Sequence, residues 1–142
     1  MVPSRVDYNG LTIILPTYNE ADNIGLMIKA LLGSYPGVKI LVVDDCSTDG
    51  TPEVACGAMP QEGHKVIIRD PKDRGLTASV MEGIMSVKTP YFVVMDADFQ
   101  HPPRYVGSVA SALYAGKDLV IGVREEKLSM LFSRQFASGG AH

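Results

Sequence analysis

The sequence predicts an α/β fold in which a mostly parallel sheet carries helices on both faces. Short runs rich in Val, Ile and Leu alternate along the chain with longer segments whose apolar residues recur at helical spacing. Aspartates gather directly after several of the short runs. Strands that alternate with helices form a parallel sheet, and their crossovers are right-handed.

Each predicted strand is a short apolar run that ends at a loop-forming residue. The fourth run, Tyr91 to Met95, contains no charged residue, and we expect it to be buried. The five strands are predicted at Leu11 to Leu15, Lys39 to Val43, His64 to Ile68, Tyr91 to Met95 and Leu119 to Ile121.

Four helices are predicted between these strands. Asn19 or Asp22 is expected to cap the first helix and Gly33 to end it, and Pro103 is placed in the first turn of the fourth. The helices are predicted at Ile24 to Leu32, Thr51 to Ala58, Leu76 to Val87 and Pro103 to Tyr114.

Length and composition indicate one ordinary globular domain. The 142 residues are 46% hydrophobic and 20% charged, and the net charge of −3 argues against a nucleic-acid-binding protein. No apolar stretch approaches the length of about 20 residues that spans a membrane, and the start of the chain does not resemble a secretory signal. We expect Cys46 and Cys56 to be reduced thiols in a cytoplasmic protein.

The aspartates are concentrated after the predicted strands. Seven of the ten lie there, although Asp is also a common loop and capping residue, which accounts in part for Asp49, Asp70 and Asp73. In an open parallel sheet, ligands bind at the carboxyl ends of the strands. The pairs Asp44-Asp45 and Asp96-Ala97-Asp98 are therefore better explained by a metal or ligand site than by helix capping.

Asp96 and Asp98 stand two residues apart at the end of the fourth strand. In extended chain such side chains point to the same side, so two carboxylates come close together. Their repulsion needs a compensating charge, and Mg²⁺ or Mn²⁺ is the natural one because these ions prefer oxygen ligands.

Five short segments at the ends of the predicted strands and the start of the third helix form a specific pattern. They are P-T-Y-N-E from residue 16, D-D-C-S-T-D-G-T from residue 44, D-R-G-L-T-A from residue 73, D-A-D-F-Q-H-P from residue 96, and G-V-R ending at residue 124. In their order and spacing, from about Leu11 to Arg124, these segments resemble the family-2 glycosyltransferases of the GT-A fold, and most of all the branch of dolichyl-phosphate mannose synthases and polyprenyl-phosphate glycosyltransferases.

The resemblance implies a site for the nucleoside of a nucleotide-diphospho-sugar donor, a GDP- or UDP-sugar. Asp45 would accept a hydrogen bond from a base N–H or a ribose hydroxyl, and Asp44 would orient its loop. Glu20 would bind ribose hydroxyls or act as a first-turn helix acid. The positions implied to cradle the nucleoside are Pro16, Tyr18, Glu20, Val43 and Asp45.

The resemblance also implies a metal and diphosphate corner. Asp98 and Gln100 would supply oxygens to Mg²⁺ or Mn²⁺, with Asp96 assisting or holding sugar hydroxyls and the Ala97 backbone close to the donor. Alternatively, Gln100 is an ordinary loop residue whose amide binds no metal. Arg124 would clamp a phosphate or form a surface salt bridge. The implied catalytic residues are Asp96, Asp98 and Arg124.

The implied reaction is transfer of a sugar, a hexose, to a polyprenyl or dolichyl phosphate with inversion at the anomeric carbon. A phosphate acceptor is already anionic, because its second pKa is about 6, so it needs no general base. A saccharide hydroxyl acceptor, which does need a base, is an alternative. A receiver-type phosphoryl-transfer domain is disfavoured, because Arg124 rather than Lys follows the fifth strand.

The end of the chain departs from the family pattern. We expect residues 1–124 to form the nucleotide-sugar-binding domain and residues 125–142 an amphipathic helix and frayed tail, with the acceptor-side half truncated. A non-catalytic nucleotide-sugar-binding fragment is therefore the main alternative. The helix would face the core, favour a homodimer, or make a peripheral contact at the cytosolic face of a membrane.

Overall fold

The computed structural model describes residues 7–60, 62–99 and 102–116, and it contains a four-stranded, all-parallel sheet. The strands are β1 (Leu11–Thr17), β2 (Lys39–Asp44), β3 (Lys65–Ile68) and β4 (Tyr91–Val94). Their order in the sheet, β3-β2-β1-β4, confirms the predicted fold class.

Helices cover both faces of this sheet. They are α1 (Ala21–Ser34), α2 (Thr51–Ala58), α3 (Leu76–Ser86) and α4 (Tyr105–Tyr114), and a short 3₁₀ turn at Pro71–Asp73 precedes α3. Helices α1, α2 and α4 form a large apolar cluster with one face of the sheet, whereas Ile84 of α3 packs in a smaller cluster on the opposite face.

The large apolar cluster that contains α1, α2 and α4 fixes the position of β4, the strand before the Asp96-Ala97-Asp98 segment. Val93, Met95 and Ala97 alternate into it and meet Val106 and Ala110 of α4. The same cluster contains the apolar faces of β1 and α1, all fully buried. This alternation means that the sheet register, rather than a free loop, determines where the polypeptide emerges at residue 96.

The prediction of a buried fourth strand is wrong for one face. Phe92 and Val94 remain 39% and 37% exposed, while Val93 between them is buried. In the described part of the chain, α3 packs against β1 and β2 rather than over β4, which leaves the second face of β4 less covered.

Several predicted helix ends also differ. Neither Asn19 nor Asp22 caps α1, because Glu20 occupies the N-cap position, and the helix continues past Gly33 to Ser34. Helix α4 begins at Tyr105, so Pro103 lies just before it and its carbonyl accepts the Val106 N–H at 3.2 Å.

Tyr35, directly after α1, holds the start of α4 in place. Its hydroxyl donates to the Pro103 carbonyl at 2.6 Å and accepts the Gly107 N–H at 2.9 Å. Burial raises the pKa of the Tyr35 phenol, against a smaller opposing effect of the Gly107 N–H. Tyr35 therefore ties the segment after Asp98 to the end of the first helix.

Several expectations concern residues outside the described ranges. They are the fifth strand at 119–121, the amphipathic segment 125–142 with its expected dimer and membrane contacts, and residues Gln100 and Arg124. In the described part, Cys46 and Cys56 are free thiols, and no helix there has the length and apolar character needed to cross a membrane.

We predict that Gly83→Ala destabilises the fold. A Cβ at Gly83 would lie 2.8 Å from Ile14 Cγ2 and 3.2 Å from Val43 Cγ2, so α3 would have to move away from the sheet. Overpacking of this kind costs about 1–3 kcal/mol of the free energy of unfolding, measurable by urea denaturation. Gly57→Ala is the matched control in α2, where a Cβ meets no atom within 4 Å. It should stabilise the fold by about 0.5–1 kcal/mol, and equal effects of the two substitutions would contradict the prediction.

We also predict that Asp44→Ala destabilises the junction of β1 and β2. The fully buried Asp44 carboxylate accepts the Thr17 hydroxyl at 2.7 Å and both the N–H and the hydroxyl of Ser47, at 2.7 and 2.6 Å. Truncation leaves buried donors without acceptors, which costs about 1–3 kcal/mol. Thermal and urea unfolding measure the loss, with Asp22→Ala on the exposed start of α1 as the control, expected within about 0.5 kcal/mol of wild type. A loss no larger than that of the control would refute this role.

Candidate functional site

The candidate site lies at the carboxyl edge of the sheet, where three neighbouring strands end together. Thr17 of β1 pairs with Asp44 of β2, and Ile14 of β1 pairs with Val94 of β4. The chain leaves β1 towards β2 on one side and returns through α3 to β4 on the other. The order of strands thus reverses beside β1, which is the position where open α/β sheets bind ligands.

Asp44 and Asp45 follow one another but have different surroundings. Asp44 is fully buried and holds Thr17 and Ser47, which agrees with the expectation that it orients its loop. The Asp45 side chain is 14% exposed and lies beside Arg69. Of the two, only Asp45 reaches the surface of the site.

The loops after β1 and β2 are joined by side-chain hydrogen bonds. The Asn19 N–H donates to Ser47 Oγ at 2.7 Å, and Asn19 Oδ1 accepts the Thr48 N–H at 2.9 Å. Asn19 and Cys46 have left-handed backbones, with φ of 53° and 63°. Asn adopts this conformation more readily than most residues, and Cys46 is held in it by the bonds on either side of the loop.

The segment between β2 and α2, together with the first residue of α2, caps α1 from outside the helix. Thr51 Oγ1 accepts the Glu20 N–H at 2.9 Å, and Asp49 Oδ2 accepts the Ala21 N–H at 3.1 Å. The hydroxyl of Thr51, together with backbone N–H groups of Ala21 and Thr51, lowers the pKa of the Asp49 carboxyl. This explains why neither residue predicted from the sequence caps the helix: its first N–H groups are satisfied by the second loop.

Asp45 is held from two sides. Its Oδ1 accepts Arg69 Nη1 at 3.0 Å, and its Oδ2 accepts the Gly75 N–H at 2.9 Å. An ionised carboxylate has about four acceptor positions, so both oxygens keep capacity for a ligand donor. Asp45 can therefore bind an N–H or O–H group without losing its own support.

Tyr18 and Arg74 form the outer part of the site. The Tyr18 ring is 48% exposed, and the Arg74 guanidinium carbon lies 5.1 Å from its centroid, within the range of a cation–π contact. Arg74 Nη2 also donates to the Cys46 carbonyl at 3.3 Å. The loops before α1 and α3 therefore meet above the end of β2.

The remaining nucleoside positions are placed differently from one another. The Val43 side chain is fully buried against Gly83, so a ligand could meet only its backbone. Pro16 is half-buried at the end of β1. The Glu20 carboxylate accepts the Asn23 side-chain amide at 3.2 Å, a contact that fits a helix-start acid and leaves acceptor capacity for a ribose.

Asp96 and Asp98 flank the buried Ala97 at the end of β4, and both are half-buried. Such paired carboxylates suit Mg²⁺ or Mn²⁺, which take oxygen ligands. Within residues 7–60, 62–99 and 102–116, no group of three or more His, Cys, Asp and Glu side chains could hold an ion by itself. The carboxylates here suit an ion that also takes oxygens from phosphate and water, as Mg²⁺ commonly does.

Arg69 is the site residue that sequence reasoning missed. It directly follows β3, and the pairing of Asp44 with Ile68 places it beside Asp45. Only this register shows that Arg69 belongs to the site, because a charged residue after a strand is common and carries no such information in the sequence alone. Gly75 belongs to the D-R-G-L-T-A segment, but its support of Asp45 through the backbone N–H depends on the fold and has no signal in the sequence.

The sequence matches the family described as Glycosyl transferase family 2 over residues 12–139. It is 36% identical over 137 residues to a dolichol-phosphate mannosyltransferase of Pyrococcus furiosus, covering 92% of this chain and 39% of that protein. It is 37% identical to a polyprenol monophosphomannose synthase of Mycolicibacterium smegmatis, covering 79% of this chain and 44% of that protein. The chain thus spans about 40% of the length of these curated relatives.

Solved structures of glycosyltransferases are similar to this chain. A mannosyltransferase from Pyrobaculum calidifontis in complex with GDP-Man and Mn²⁺ is similar at a TM-score of 0.56 and 29% identity, covering 62% of this chain and 27% of the other. A glucosyl-3-phosphoglycerate synthase from Mycobacterium tuberculosis has a TM-score of 0.63 at 23% identity, covering 75% and 40%, and supports the fold alone. With the family match extending over most of its length, this chain belongs to glycosyl transferase family 2.

Proposed function

We propose that this chain is an inverting, metal-dependent glycosyltransferase and that its described residues form the donor-binding part of the site. The donor would be a GDP- or UDP-hexose and the acceptor a polyprenyl phosphate. The observation that carries the proposal is the placement of Asp45 and the Asp96-Ala97-Asp98 segment at one edge of a parallel sheet, on strands that flank β1. The names of the curated relatives support a lipid-phosphate acceptor. The GDP-Man complex of the Pyrobaculum calidifontis mannosyltransferase supports a nucleotide-sugar donor.

The nucleoside would lie across the ends of β1 and β2. Asp45 accepts a base N–H or a ribose hydroxyl, while the exposed Tyr18 ring offers an apolar surface beside it. Glu20, half-buried at the start of α1, is placed to accept from ribose hydroxyls. Asp45 can accept from guanine or from uracil, because either base presents an N–H.

The diphosphate and sugar would lie towards β4. Asp98, with Gln100, would hold Mg²⁺ or Mn²⁺, and Asp96 would assist or bind hydroxyls of the donor sugar. When bound, such an ion supplies positive charge that stabilises the departing diphosphate. Arg124 is proposed as a phosphate clamp, since its guanidinium can donate two parallel hydrogen bonds.

The chemical step is a single displacement. A phosphate oxygen of the acceptor forms a bond to the anomeric carbon as the bond from that carbon to the diphosphate oxygen breaks, and the configuration inverts. The acceptor phosphate is anionic at neutral pH, because its second pKa is about 6. No side chain has to remove a proton, so the residues of this chain act by binding, orienting and compensating charge.

We predict that GDP-mannose or UDP-glucose, at 100 times its dissociation constant, raises the free energy of unfolding by about 2.7 kcal/mol and that Mn²⁺ strengthens the binding. Thermal unfolding with each donor, with and without Mn²⁺, measures the effect. Asp98→Asn should remove the increment due to Mn²⁺ but keep the metal-independent part, whereas Asp70→Asn, at an exposed 3₁₀ cap, should behave as wild type. Absence of any shift with both nucleotides would refute the proposed donor site.

We further predict that the full chain transfers the hexose from the bound donor to a polyprenyl phosphate with inversion. The product's anomeric configuration is read by NMR, and a saccharide hydroxyl acceptor serves as the comparison. Transfer to the saccharide alone would favour the alternative acceptor class. Donor binding without transfer to either acceptor would identify a nucleotide-sugar-binding fragment and contradict the catalytic part of the proposal.

A further inference from the structure

Arg69 is a buried cation placed directly behind the candidate donor site. Its backbone N–H donates to the Asp44 carbonyl at 2.8 Å, which extends the pairing of β2 with β3 by one residue. The side chain is only 3% exposed. A buried guanidinium requires partners for its N–H groups, because an uncompensated buried charge is strongly unfavourable.

The guanidinium joins three segments of the chain. Nη1 donates to Asp45 Oδ1 at 3.0 Å and to the Asp73 carbonyl at 2.6 Å. Nη2 donates to Asp73 Oδ2 at 2.8 Å, and Nε to Glu82 Oε1 at 3.1 Å. One side chain thus connects the end of β2, the 3₁₀ turn and α3.

The three carboxylates differ in their access to water. The side chains of Asp73 and Glu82 are 76% and 43% exposed, so solvent screens their attraction to Arg69. Asp45 is 14% exposed and its partner 3%, which makes this the least screened of the three pairs. Asp45 therefore depends on Arg69 more than the two exposed acids do.

We propose that Arg69 is a positioning residue for donor recognition, an inference that rests on the proposed role of Asp45. Arg69 holds one oxygen of Asp45, and the Gly75 N–H holds the other, so the carboxylate plane is fixed before a ligand arrives. The nucleoside would contact Asp45 and never Arg69. Preorganisation of this kind removes the cost of ordering the carboxylate when the donor binds.

The same guanidinium also positions the outer wall of the site. Its bonds to Asp73 and the bond from Gly75 to Asp45 fix both neighbours of Arg74, whose guanidinium lies over the Tyr18 ring. Arg69 thus sets the carboxylate and the cation–aromatic pair together. Lysine cannot replace it, because an ammonium lacks the planar fork that reaches acceptors on three residues in fixed directions.

The test is a double-mutant cycle on nucleotide affinity. Isothermal titration of the full chain with GDP and with UDP, in the presence of Mn²⁺, compares wild type, Arg69→Lys, Asp45→Asn and the double variant. We expect Arg69→Lys to weaken binding of the preferred nucleotide about tenfold. The double variant should bind more weakly than Asp45→Asn by clearly less than the tenfold loss that Arg69→Lys causes alone, because part of that loss is the contact with Asp45 that both changes remove.

Two further variants complete the experiment, one as a control and one as a second substitution of Arg69. Glu82→Gln removes a charge from Arg69's surroundings without touching Asp45, and it should keep wild-type affinity within about threefold. Arg69→Gln, which retains one amide donor, is measured in parallel in case Arg69→Lys does not fold, and it should show the same non-additivity with Asp45→Asn. Melting temperatures confirm that each variant is folded.

The outcomes separate this inference from the proposed function. If wild type binds neither nucleotide, the donor site itself is refuted and the role of Arg69 with it. If wild type binds but Arg69→Lys binds equally well, or its loss adds to that of Asp45→Asn, only the positioning role is overturned. Failure of both Arg69 variants to fold would make Arg69 a core residue and would likewise overturn it.

Discussion

The parallel pairing of β1 with β2 on one side and β4 on the other is the constraint on which the rest of the structure depends. It brings the ends of three strands to one edge, although the residues concerned are far apart in sequence. On β4, a slip by one residue would turn Val93, Met95 and Ala97 out of the larger apolar cluster, which fixes the register of β4 against β1. The positions of Asp45 and of the Asp96-Ala97-Asp98 segment follow directly from that register.

Adjacent carboxylates at the end of β2 divide two tasks. Asp44 satisfies buried donors and stabilises the junction of two strands, whereas Asp45 presents oxygens to the site while Arg69 and Gly75 support it. Burial decides between these tasks, since a carboxylate without access to solvent cannot meet a ligand. The acidic stretch after β2 is therefore part scaffold and, in the proposed function, part binding surface.

Much of this could be predicted from the sequence. Apolar periodicity located the four described strands and four helices, and it predicted the parallel sheet and the edge at which aspartates gather. Features that depend on partners distant in sequence were missed or wrong. The contact of Arg69 with Asp45 depends on the register of β2 with β3. The groups that cap α1 lie about 30 residues later in the chain, and the exposure of β4 depends on where α3 packs.

The bonds between the loops after β1 and β2 have a consequence for local motion. Asn19, Glu20 and Ala21 are each tied to residues 28 to 31 positions later, so neither loop can open without breaking contacts held by the other. Their amide protons should exchange with solvent as one cooperative unit together with the β1–α1–β2 framework, rather than at the separate rates of two surface loops. The donor side of the site would therefore be rigid on the time scale of exchange, and any adjustment to a ligand would have to come from the exposed residues at its rim.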